Sequence, residues 1–300
     1  MITYSKLGRK GNLGNQLFQI ASTVCMAEKY GHDHFFSEWD YADFFKNDLP
    51  VFEMDDSFQV IKEKKFAYYE WDLGKQNYDL DGWLQSEKYF NKESVRKIFE
   101  WGSFSDQLLL NYNFLFTKKT ILVSIRRGDF INHPYYYQVS HLFYFKGIVH
   151  NFPDWEERNI IFTSDDFSYC KYHFSFLKNS IFLDHLTPIE QLVLGSKCDD
   201  FVISNSTFSW WIAWLGEKND SKIIRPIKNF RGKFADENND SDYFPERWIS
   251  FNDKEIGIDM KYWFFVMKGY IFELLVDIKF KYKKSKKDFK NSIKIFLFKK

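Results

Sequence analysis

The second half of the chain alternates between short apolar runs and amphipathic stretches. Five runs are bounded by polar or turn residues, as buried parallel strands are: ILVSI (121–125), NIIFT (159–163), SIFLDHL (180–186), DFVIS (200–204) and KIIRP (222–226). Between the third and fourth runs, Thr187 and Glu190 form the capping box of a predicted helix. Strands alternating with helices predict a doubly wound α/β domain from residue 119 to about 255.

The first half of the chain has a weaker pattern. Residues 1–7 are typical of a strand, and apolar positions at helical spacing predict a helix from about Asn15 to the residue before Gly31. Residues 35–118 are rich in aromatic side chains, and their path cannot be predicted. At 300 residues, the chain can hold two cores of about 100–150 residues each.

The composition narrows the class of protein. A content of 45% hydrophobic and 28% charged residues excludes a disordered chain. The net charge of +1 conceals an asymmetry, since residues 261–300 carry 12 lysines against 3 acidic residues, a net +9 that leaves −8 on the first 260. Cys25, Cys170 and Cys198 form no CxxC pair, and the amino terminus lacks the apolar region of a secretory signal. These features predict a cytoplasmic protein.

Arginines follow the first apolar run directly, as Arg126-Arg127-Gly128-Asp129. A guanidinium presents a planar fork of donors that suits phosphate, and a glycine lets the backbone approach a ligand. The alternative is a surface ion pair between an arginine and Asp129, which would contribute under about 1 kcal/mol. An adhesion tripeptide is disfavoured because the segment adjoins a buried strand in a chain for which secretion is not expected.

A second polar cluster, Asn205-Ser206-Thr207, lies where the run DFVIS gives way to a predicted helix. The free N–H groups and positive dipole end of a helix start form an anion site. The alternative is plain N-capping, with Trp210, Trp211 and Trp214 as core residues. The cluster also matches a glycosylation sequon, which we discount because nothing indicates secretion.

Two further clusters lie beside predicted strands. In FTSDDF (162–167), Asp165 and Asp166 follow a strand, where a carboxylate can accept hydrogen bonds from guanine or a ribose. Alternatively, Ser164 and Asp165 cap the next helix. The segment GRKGNLGNQLFQ (8–19) is glycine-rich but lacks the GxGxxG spacing of a dinucleotide fingerprint.

Together and in this order, these segments resemble the α-1,2-fucosyltransferases of glycosyltransferase family 11, over most of residues 1–250. The matching segments are GNLGNQLFQ (11–19), GWLQSEKYF (82–90), SIRRGDF (124–130), FTSDD (162–166) and NSTFSWW (205–211). Three positions depart from the family pattern. Ser124 replaces a histidine that helps to hold the nucleotide in related enzymes, Asn12 replaces the second glycine, and Ile212 replaces a glycine after the tryptophans.

The resemblance implies an α/β, GT-B-like fold of two Rossmann-like lobes with the donor cleft between them. Residues 1–118 would form the acceptor-side lobe, residues 119–258 the GDP-sugar-binding lobe, and residues 259–300 a basic aromatic tail. The implied reaction is inverting transfer of L-fucose from GDP-β-L-fucose to the 2-hydroxyl of a terminal galactose-like residue, on an acceptor that can be lipid-linked, in surface glycan biosynthesis. Neither a cofactor nor a metal is implied.

The same resemblance assigns roles to residues. Arg126 would stabilise the departing diphosphate, and Asp129 is the nearest carboxylate to act as base, unless it orients Arg127 or binds the donor. Gln85 and Glu87 are candidates for acceptor contacts. The implied donor contacts are Arg126, Arg127, Asp166 (to guanine), Asn205, Ser206 and Thr207, with Gly14, Asn15 and Gln16 from the other lobe.

Two other functions remain open from sequence. Asp79-Leu80-Asp81 spells a DxD, which suits a metal-dependent transferase that uses another nucleotide sugar. A sugar-nucleotide binder without catalytic activity, docked on a membrane, is the second alternative.

The tail carries a helical apolar stripe of Trp263, Met267, Tyr270, Ile271, Leu274 and Ile278. Lys268, Glu273 and Asp277 interrupt any run long enough to span a bilayer. Residues 279–300 interleave lysines with aromatics, which suits an anionic membrane face, whereas no readout motif for nucleic acid is present. We therefore predict peripheral membrane contact through residues 261–300; packing of the stripe on the body is the alternative.

Overall fold

The structure is a computed structural model that describes residues 1–52 and 55–297, with the side chains of residues 287–297 outside the description. The chain divides into a first compact unit, Met1–Asp253, and a second, Lys254–Lys300. Both predicted lobes, 1–118 and 119–258 as far as Asp253, belong to the first unit and are not separate compact units. Each of them contains one sheet.

The first sheet has four parallel strands in the order β2-β1-β4-β3. Its strands are β1 (Ile2–Thr3), β2 (His34–Phe35), β3 (Phe58–Lys62) and β4 (Asn77–Asp81). The predicted first helix is confirmed as α1 (Leu13–Tyr30), and it ends at Gly31, whose φ of 70° is the left-handed conformation that glycine adopts readily. Helices α2 (Lys92–Ile98) and α3 (Ser103–Asn111) follow the sheet.

Parts of this lobe differ from the sequence expectations. The path of residues 35–118 could not be predicted, and its described residues include strands β3 and β4 and helices α2 and α3. Strand β4 reads NYDLD, and it tolerates a buried Asp79 because that carboxylate accepts hydrogen bonds from the N–H (2.8 Å) and hydroxyl (2.7 Å) of Ser5. The first strand is shorter than predicted, since the chain turns where the Leu7 N–H donates to the Tyr4 carbonyl.

The second sheet has six parallel strands in the order β10-β9-β8-β5-β6-β7. Its strands are β5 (Thr120–Ile125), β6 (Asn159–Ser164), β7 (Ser180–Phe182), β8 (Asp200–Ile203), β9 (Ile223–Pro226) and β10 (Ile249–Phe251). The five predicted strands are confirmed, although β7 is shorter than its apolar run, and the sequence prediction missed β10. The helices are α4 (His141–Asn151), α5 (Phe167–Phe174), α6 (Pro188–Gly195), α7 (Thr207–Gly216) and α8 (Gly232–Glu237).

Two features of this sheet position a site. The predicted capping box of Thr187 and Glu190 is present at the start of α6. Strand order reverses between β5 and β8, since the chain proceeds from β5 towards β7 on one side and from β8 towards β10 on the other. Ligands of open parallel sheets bind at such a switch point, outside the carboxyl ends of the strands.

An aromatic core joins α1 to α7. The Phe18 ring centroid lies 4.5 Å from that of Trp210 and 5.1 Å from that of Trp211, and both indoles are fully buried. The helix start after β8 is therefore fixed against the other sheet's first helix by large apolar surfaces.

The second unit contains a single long helix among its described residues, α9 (Trp263–Leu297). The predicted helical stripe is confirmed, and its side chains are exposed, with Trp263 at 54%, Leu274 at 60% and Ile278 at 55%. No helix in the described part of the chain has the length and apolar character needed to cross a bilayer.

Candidate active site

A cleft of about 430 Å³ opens at the carboxyl ends of both sheets. Its walls come from segments that follow β1, β4, β5, β6 and β8. The predicted site residues among its lining are Gly14, Asn15, Gln16, Gln85, Arg126, Asp129, Asn205, Ser206 and Thr207. The structure thus brings together most of the residues singled out from separate segments of the sequence.

Arg126 lies directly after β5, held between two carboxylates. Its Nε and Nη2 atoms donate to Asp129 Oδ1 at 3.1 and 2.7 Å, and Nη1 lies 3.2 Å from Asp165 Oδ2. The surface ion pair proposed as an alternative is therefore present, with Asp129 63% exposed and Arg126 25% exposed. Because a guanidinium has five N–H groups, this arrangement orients the fork and still leaves donors for an anion.

The start of α7 forms the neighbouring wall. The N-cap is Ser206, whose hydroxyl accepts from the Phe208 N–H at 3.3 Å. Asn205 is buried and donates through Nδ2 to the Asn229 carbonyl at 2.8 Å and the Tyr137 carbonyl at 3.2 Å. Asn205 therefore fixes the surrounding loops, while Thr207 and Phe208 in the first turn of α7 line the cleft.

The start of α1 abuts the start of α7. A methyl group added at Gly14 would lie 2.5 Å from the Phe208 amide nitrogen and 2.5 Å from the Thr207 carbonyl carbon, so only glycine allows this approach. The N-cap of α1 is Asn12, whose side chain makes no capping hydrogen bond. Two positive helix ends thus meet at one wall of the cleft, an arrangement that favours an anion.

The other α1 residues are tied to the first lobe. Asn15 Oδ1 accepts from Gln85 Nε2 at 2.8 Å. Gln16 donates through Nε2 to the Gly11 carbonyl at 3.0 Å and accepts from Trp39 Nε1 at 2.7 Å. Gln16 therefore shapes the glycine-rich turn, whereas Asn15 and Gln85 form a polar pair on the acceptor-side wall.

Three predicted site residues do not line the cleft. Asp166 caps α5 by accepting from the Tyr169 N–H at 3.0 Å, and its neighbour Asp165 lines the cleft instead. The helix cap is thus Asp166, not the Ser164 and Asp165 of the capping alternative. Arg127 is buried with its guanidinium carbon 3.9 Å from the centroid of the Tyr169 ring.

Glu87 is the third of these residues. It accepts from Arg247 Nη1 at 2.6 Å and from Trp214 Nε1 at 3.2 Å, while Arg247 also pairs with Glu217 at 2.5 Å. Glu87 therefore joins the two lobes through an ion network and lies away from the cleft. Burial acts to lower the pKa of Arg247, but hydrogen bonds to Glu217 and Glu87 outweigh it, so the pKa is raised and the side chain stays charged.

Sequence reasoning missed several cleft residues, most of which lie in loops without a periodic pattern, whereas Gln191 lies within the predicted helix α6. They are Tyr41, Tyr136, Gln191, Asn229 and Tyr243. The adjacent acidic pair was a signal for Asp165, but the assignment to guanine went to Asp166.

Ser124, which replaces the family histidine, is buried beneath the cleft. Its hydroxyl lies 2.8 Å from that of Ser209, which lies 2.8 Å from that of Ser204. The hydroxyls of Ser124, Ser209 and Ser204 therefore form a hydrogen-bonded chain where the family has a histidine. Ser209 is the member of this chain that lines the cleft.

The carboxylates of the DxD sequence have protein partners. Asp81 accepts from Lys6 and Lys10, each at 2.8 Å, and Asp79 accepts from Ser5. Among the described residues, no group of three or more His, Cys, Asp or Glu side chains is placed to hold a metal ion. The absence of a metal requirement stays a prediction.

Two parallel sheets with a cleft at their carboxyl ends form a GT-B-like α/β fold, as predicted. An Arabidopsis thaliana FUT1 mutant in complex with GDP is similar, with a TM-score of 0.50, 13% identity and coverage of 86% of this chain and 79% of that one. The fucosyltransferase NodZ from Bradyrhizobium gives a TM-score of 0.49 at 12% identity, with coverage of 70% and 91%. The FUT1 likeness supports the fold.

Residues 8–252 match the model of Glycosyl transferase family 11. The O-antigen biosynthesis glycosyltransferase WbnK of Escherichia coli is 26% identical over 229 residues, 67% of this chain and 73% of that protein. An alpha-1,2-colitosyltransferase of E. coli is 28% identical over 185 residues, 58% of this chain and 63% of that protein, just under two thirds of its length. The chain is therefore a glycosyltransferase. It belongs to glycosyltransferase family 11, and the resemblance stated from sequence is confirmed.

Proposed function

We propose that the protein transfers L-fucose from GDP-β-L-fucose to the 2-hydroxyl of a terminal galactose-like residue, with inversion, during biosynthesis of a surface glycan such as O-antigen. The observation that carries this proposal is that Arg126 and the abutting starts of α1 and α7 face one cleft at the switch point of the second sheet. The names of the two E. coli relatives support an O-antigen context and an α-1,2 linkage.

On this proposal, charge stabilisation at the diphosphate provides most of the catalysis. As the bond between fucose C1 and the phosphate oxygen breaks, negative charge grows on the leaving GDP and the sugar becomes cationic. Fixed donors that meet this charge lower the barrier more than they stabilise bound substrate. Arg126 supplies two or more N–H groups, and the first turn of α7 supplies amides. Asp129 and Asp165 keep the guanidinium oriented.

We assign the remaining roles as follows. Asp166 stays the proposed guanine contact although it lies outside the cleft lining, and Oδ2 is the atom assigned to guanine because Oδ1 is engaged at the helix cap. Asp129 is the proposed base, since it is the more exposed of the two carboxylates on Arg126 and lines the cleft. Gln85, held by Asn15, is the proposed acceptor contact on the opposite wall. Glu87 is proposed to stabilise the acceptor segment through Arg247 and not to touch the acceptor.

A nucleotide-sugar panel tests the proposal. Nucleotide release is measured with each sugar donor, with and without lactose, in excess EDTA, and the linkage of any product is determined. GDP-fucose is expected to give lactose-dependent GDP release and an α-1,2 product, because the proposed site needs no metal. The panel includes a colitose nucleotide, since one relative is named for that sugar. Activity that requires Mn²⁺ would support the metal-dependent transferase, and lack of product with every donor would support the non-catalytic binder.

We also propose that the protein works at the cytoplasmic face of a membrane, with α9 resting on anionic lipid. Several of the exposed large apolar side chains of the helix lie at helical spacing: Trp263, Phe264, Met267, Tyr270, Ile271, Leu274, Leu275 and Ile278. Exposed lysines follow along the same helix at positions 279, 281, 283, 284 and 286. An apolar stripe with adjacent lysines, each worth roughly 1 kcal/mol near anionic lipid, suits a bilayer surface better than a neutral partner.

Vesicle flotation of the full chain tests this contact. The unmodified protein is expected to float with vesicles that contain phosphatidylglycerol and to bind pure phosphatidylcholine at least about tenfold less. The double change Ile271→Glu and Leu274→Glu should remove binding, since two charges then lie on the apolar stripe. Phe52→Glu, on an exposed residue of the first unit, is the matched control and should bind normally. Equal binding by the double variant and the control would refute the contact, as would a stripe-dependent dimer in solution.

A further inference from the structure

Trp83 is the exposed tryptophan of the first unit, Met1–Asp253, and Trp263 on α9 is exposed as well. Trp83 is 40% exposed, whereas Trp39, Trp71, Trp155, Trp248 and the three indoles of α7 are at most 7% exposed. Trp83 follows β4 in the segment Gly82–Gln85, at the same sheet edge as the cleft. An exposed indole at a carboxyl strand end has an apolar face free to contact a ligand.

The backbone around Trp83 is fixed by the partly buried Glu63 and the buried Tyr4. Glu63 Oε2 accepts from the Trp83 N–H at 2.7 Å, and Glu63 Oε1 accepts from the Leu84 N–H at 3.1 Å. Tyr4 donates its hydroxyl to the Gly82 carbonyl at 2.7 Å. Burial raises the pKa of Glu63, and the two backbone N–H groups oppose that rise. The backbone of residues 82–84 is thus fixed by hydrogen bonds, while the indole of Trp83 is exposed.

Leu84 adds a strained conformation to this segment. Its φ is 56°, in the left-handed region that a leucine rarely adopts, and its side chain is fully buried. Such a conformation is strained and persists only where the surroundings enforce it, typically at functional sites. A methyl group at Gly82 would lie 2.6 Å from Glu63 Cβ, so that position is also constrained.

Two contacts connect Trp83 with the cleft. Gln85, two residues on, lines the cleft and donates to Asn15. Lys10 lies 4.9 Å over the Trp83 ring with its ammonium bound to Asp81 at 2.8 Å, in the turn whose Gly8 and Gly11 also line the cleft. Trp83 itself is outside the cleft lining. It therefore lies at the rim of the cleft, next to the acceptor-side wall that Gln85 and Asn15 form.

We propose that Trp83 is a sugar-stacking platform for the unit that precedes the terminal galactose of the acceptor, which would pack on the indole face that Lys10 does not cover, with Lys10 and Asp81 as neighbouring polar side chains. The proposal rests on the proposed function and adds that the acceptor is at least a disaccharide. The C–H face of a pyranose is apolar and flat, and it packs on an indole while its rim hydroxyls meet the polar side chains. The fixed backbone of Gly82–Leu84 lowers the ordering cost of that contact.

The test compares lactose with methyl β-galactoside, which lacks the second sugar. The unmodified enzyme should have a KM for lactose about tenfold below that for the monosaccharide. Trp83→Ala should raise the lactose KM to the monosaccharide value, with kcat, donor KM and the monosaccharide KM unchanged. Trp83→Phe should retain most of the preference. Phe114→Ala, at a side chain 51% exposed elsewhere, is the matched control and should behave as the unmodified enzyme.

The outcomes separate the platform from the proposed function. A lactose KM that does not change in Trp83→Ala, in an enzyme that still makes α-1,2 product, overturns the platform alone. A lack of transfer to any galactoside overturns the proposed function. The platform is then decided by saturation-transfer NMR of lactose and methyl β-galactoside, in which loss of the lactose signal in Trp83→Ala supports it and an unchanged signal overturns it.

Discussion

Replacing Arg126 with alanine is expected to lower kcat for sugar transfer by about 10²- to 10³-fold, the loss typical when one fixed donor to a developing charge is removed. The guanidinium lies on the cleft between Asp129 and Asp165, and no other arginine lines that cleft among the described residues. Its removal also leaves two carboxylates without their common cation beside an anionic substrate. The measurement is the initial rate of product formation at saturating donor and acceptor.

Two variants serve as controls for this result. Arg126→Lys keeps the charge but loses the planar fork of the guanidinium. We therefore expect a kcat between those of the unmodified enzyme and Arg126→Ala. Arg96→Ala removes an exposed arginine that donates to the Glu217 carbonyl at 3.2 Å, away from the cleft, and its kcat should not change. A full rate in Arg126→Ala, with the melting temperature retained, would exclude this side chain as the diphosphate contact.

The sequence allowed much of the second sheet and its switch point to be predicted. Strands β5, β6 and β8 are buried on both faces, so each reads as an unbroken apolar run, and the polar residues that follow them mark the ligand edge. Arg126, Ser206 and Thr207 could be placed on one site for that reason. Each of these residues directly follows β5 or β8, the two strands next to the switch point, so its position can be predicted from the local sequence alone.

Residues whose surroundings come from distant segments could not be predicted. In the sequence, Asp79 is part of a DxD that suits a metal-dependent transferase, but hydrogen bonds from Ser5 make it a buried strand residue. The family resemblance makes Glu87 a candidate for an acceptor contact, yet its partner is Arg247, 160 positions away along the chain. A glutamate can equally contact a ligand or form an ion pair, so only the folded structure shows which of these two roles Glu87 has.

The acidic pair after β6 shows the same limit on a smaller scale. The sequence indicated that Asp165 and Asp166 lie near the ligand edge, but not which of them reaches the cleft. The strand ends at Ser164 and α5 begins at Phe167, so Asp166 takes the N-cap position and Asp165 points to Arg126. A difference of one residue in the helix start exchanges the two roles.

Gly14→Ala is expected to lower the melting temperature by about 5–10 °C and kcat by about 10²-fold, because the added methyl group has no room. It would lie 2.5 Å from the Phe208 amide nitrogen and 2.8 Å from the Thr207 hydroxyl oxygen. Those neighbours are the first turn of α7, which cannot move without shifting Trp210 and Trp211 in the core. The two helix starts must therefore separate, and the wall proposed to hold the diphosphate is displaced. Thermal denaturation and the transfer rate are measured together.

The matched control for this substitution is Gly257→Ala, since a methyl group there meets no atom within 4 Å. That variant should melt and turn over as the unmodified protein does. A Gly14→Ala protein with normal stability and rate would mean that α1 and α7 can part without consequence. A normal melting temperature with a reduced rate, and a weaker affinity for GDP, would instead locate the whole effect in the displaced amides. The fall in melting temperature thus measures how much the packing of α1 on α7 contributes to stability. The fall in transfer rate measures how much the same packing contributes to the anion site.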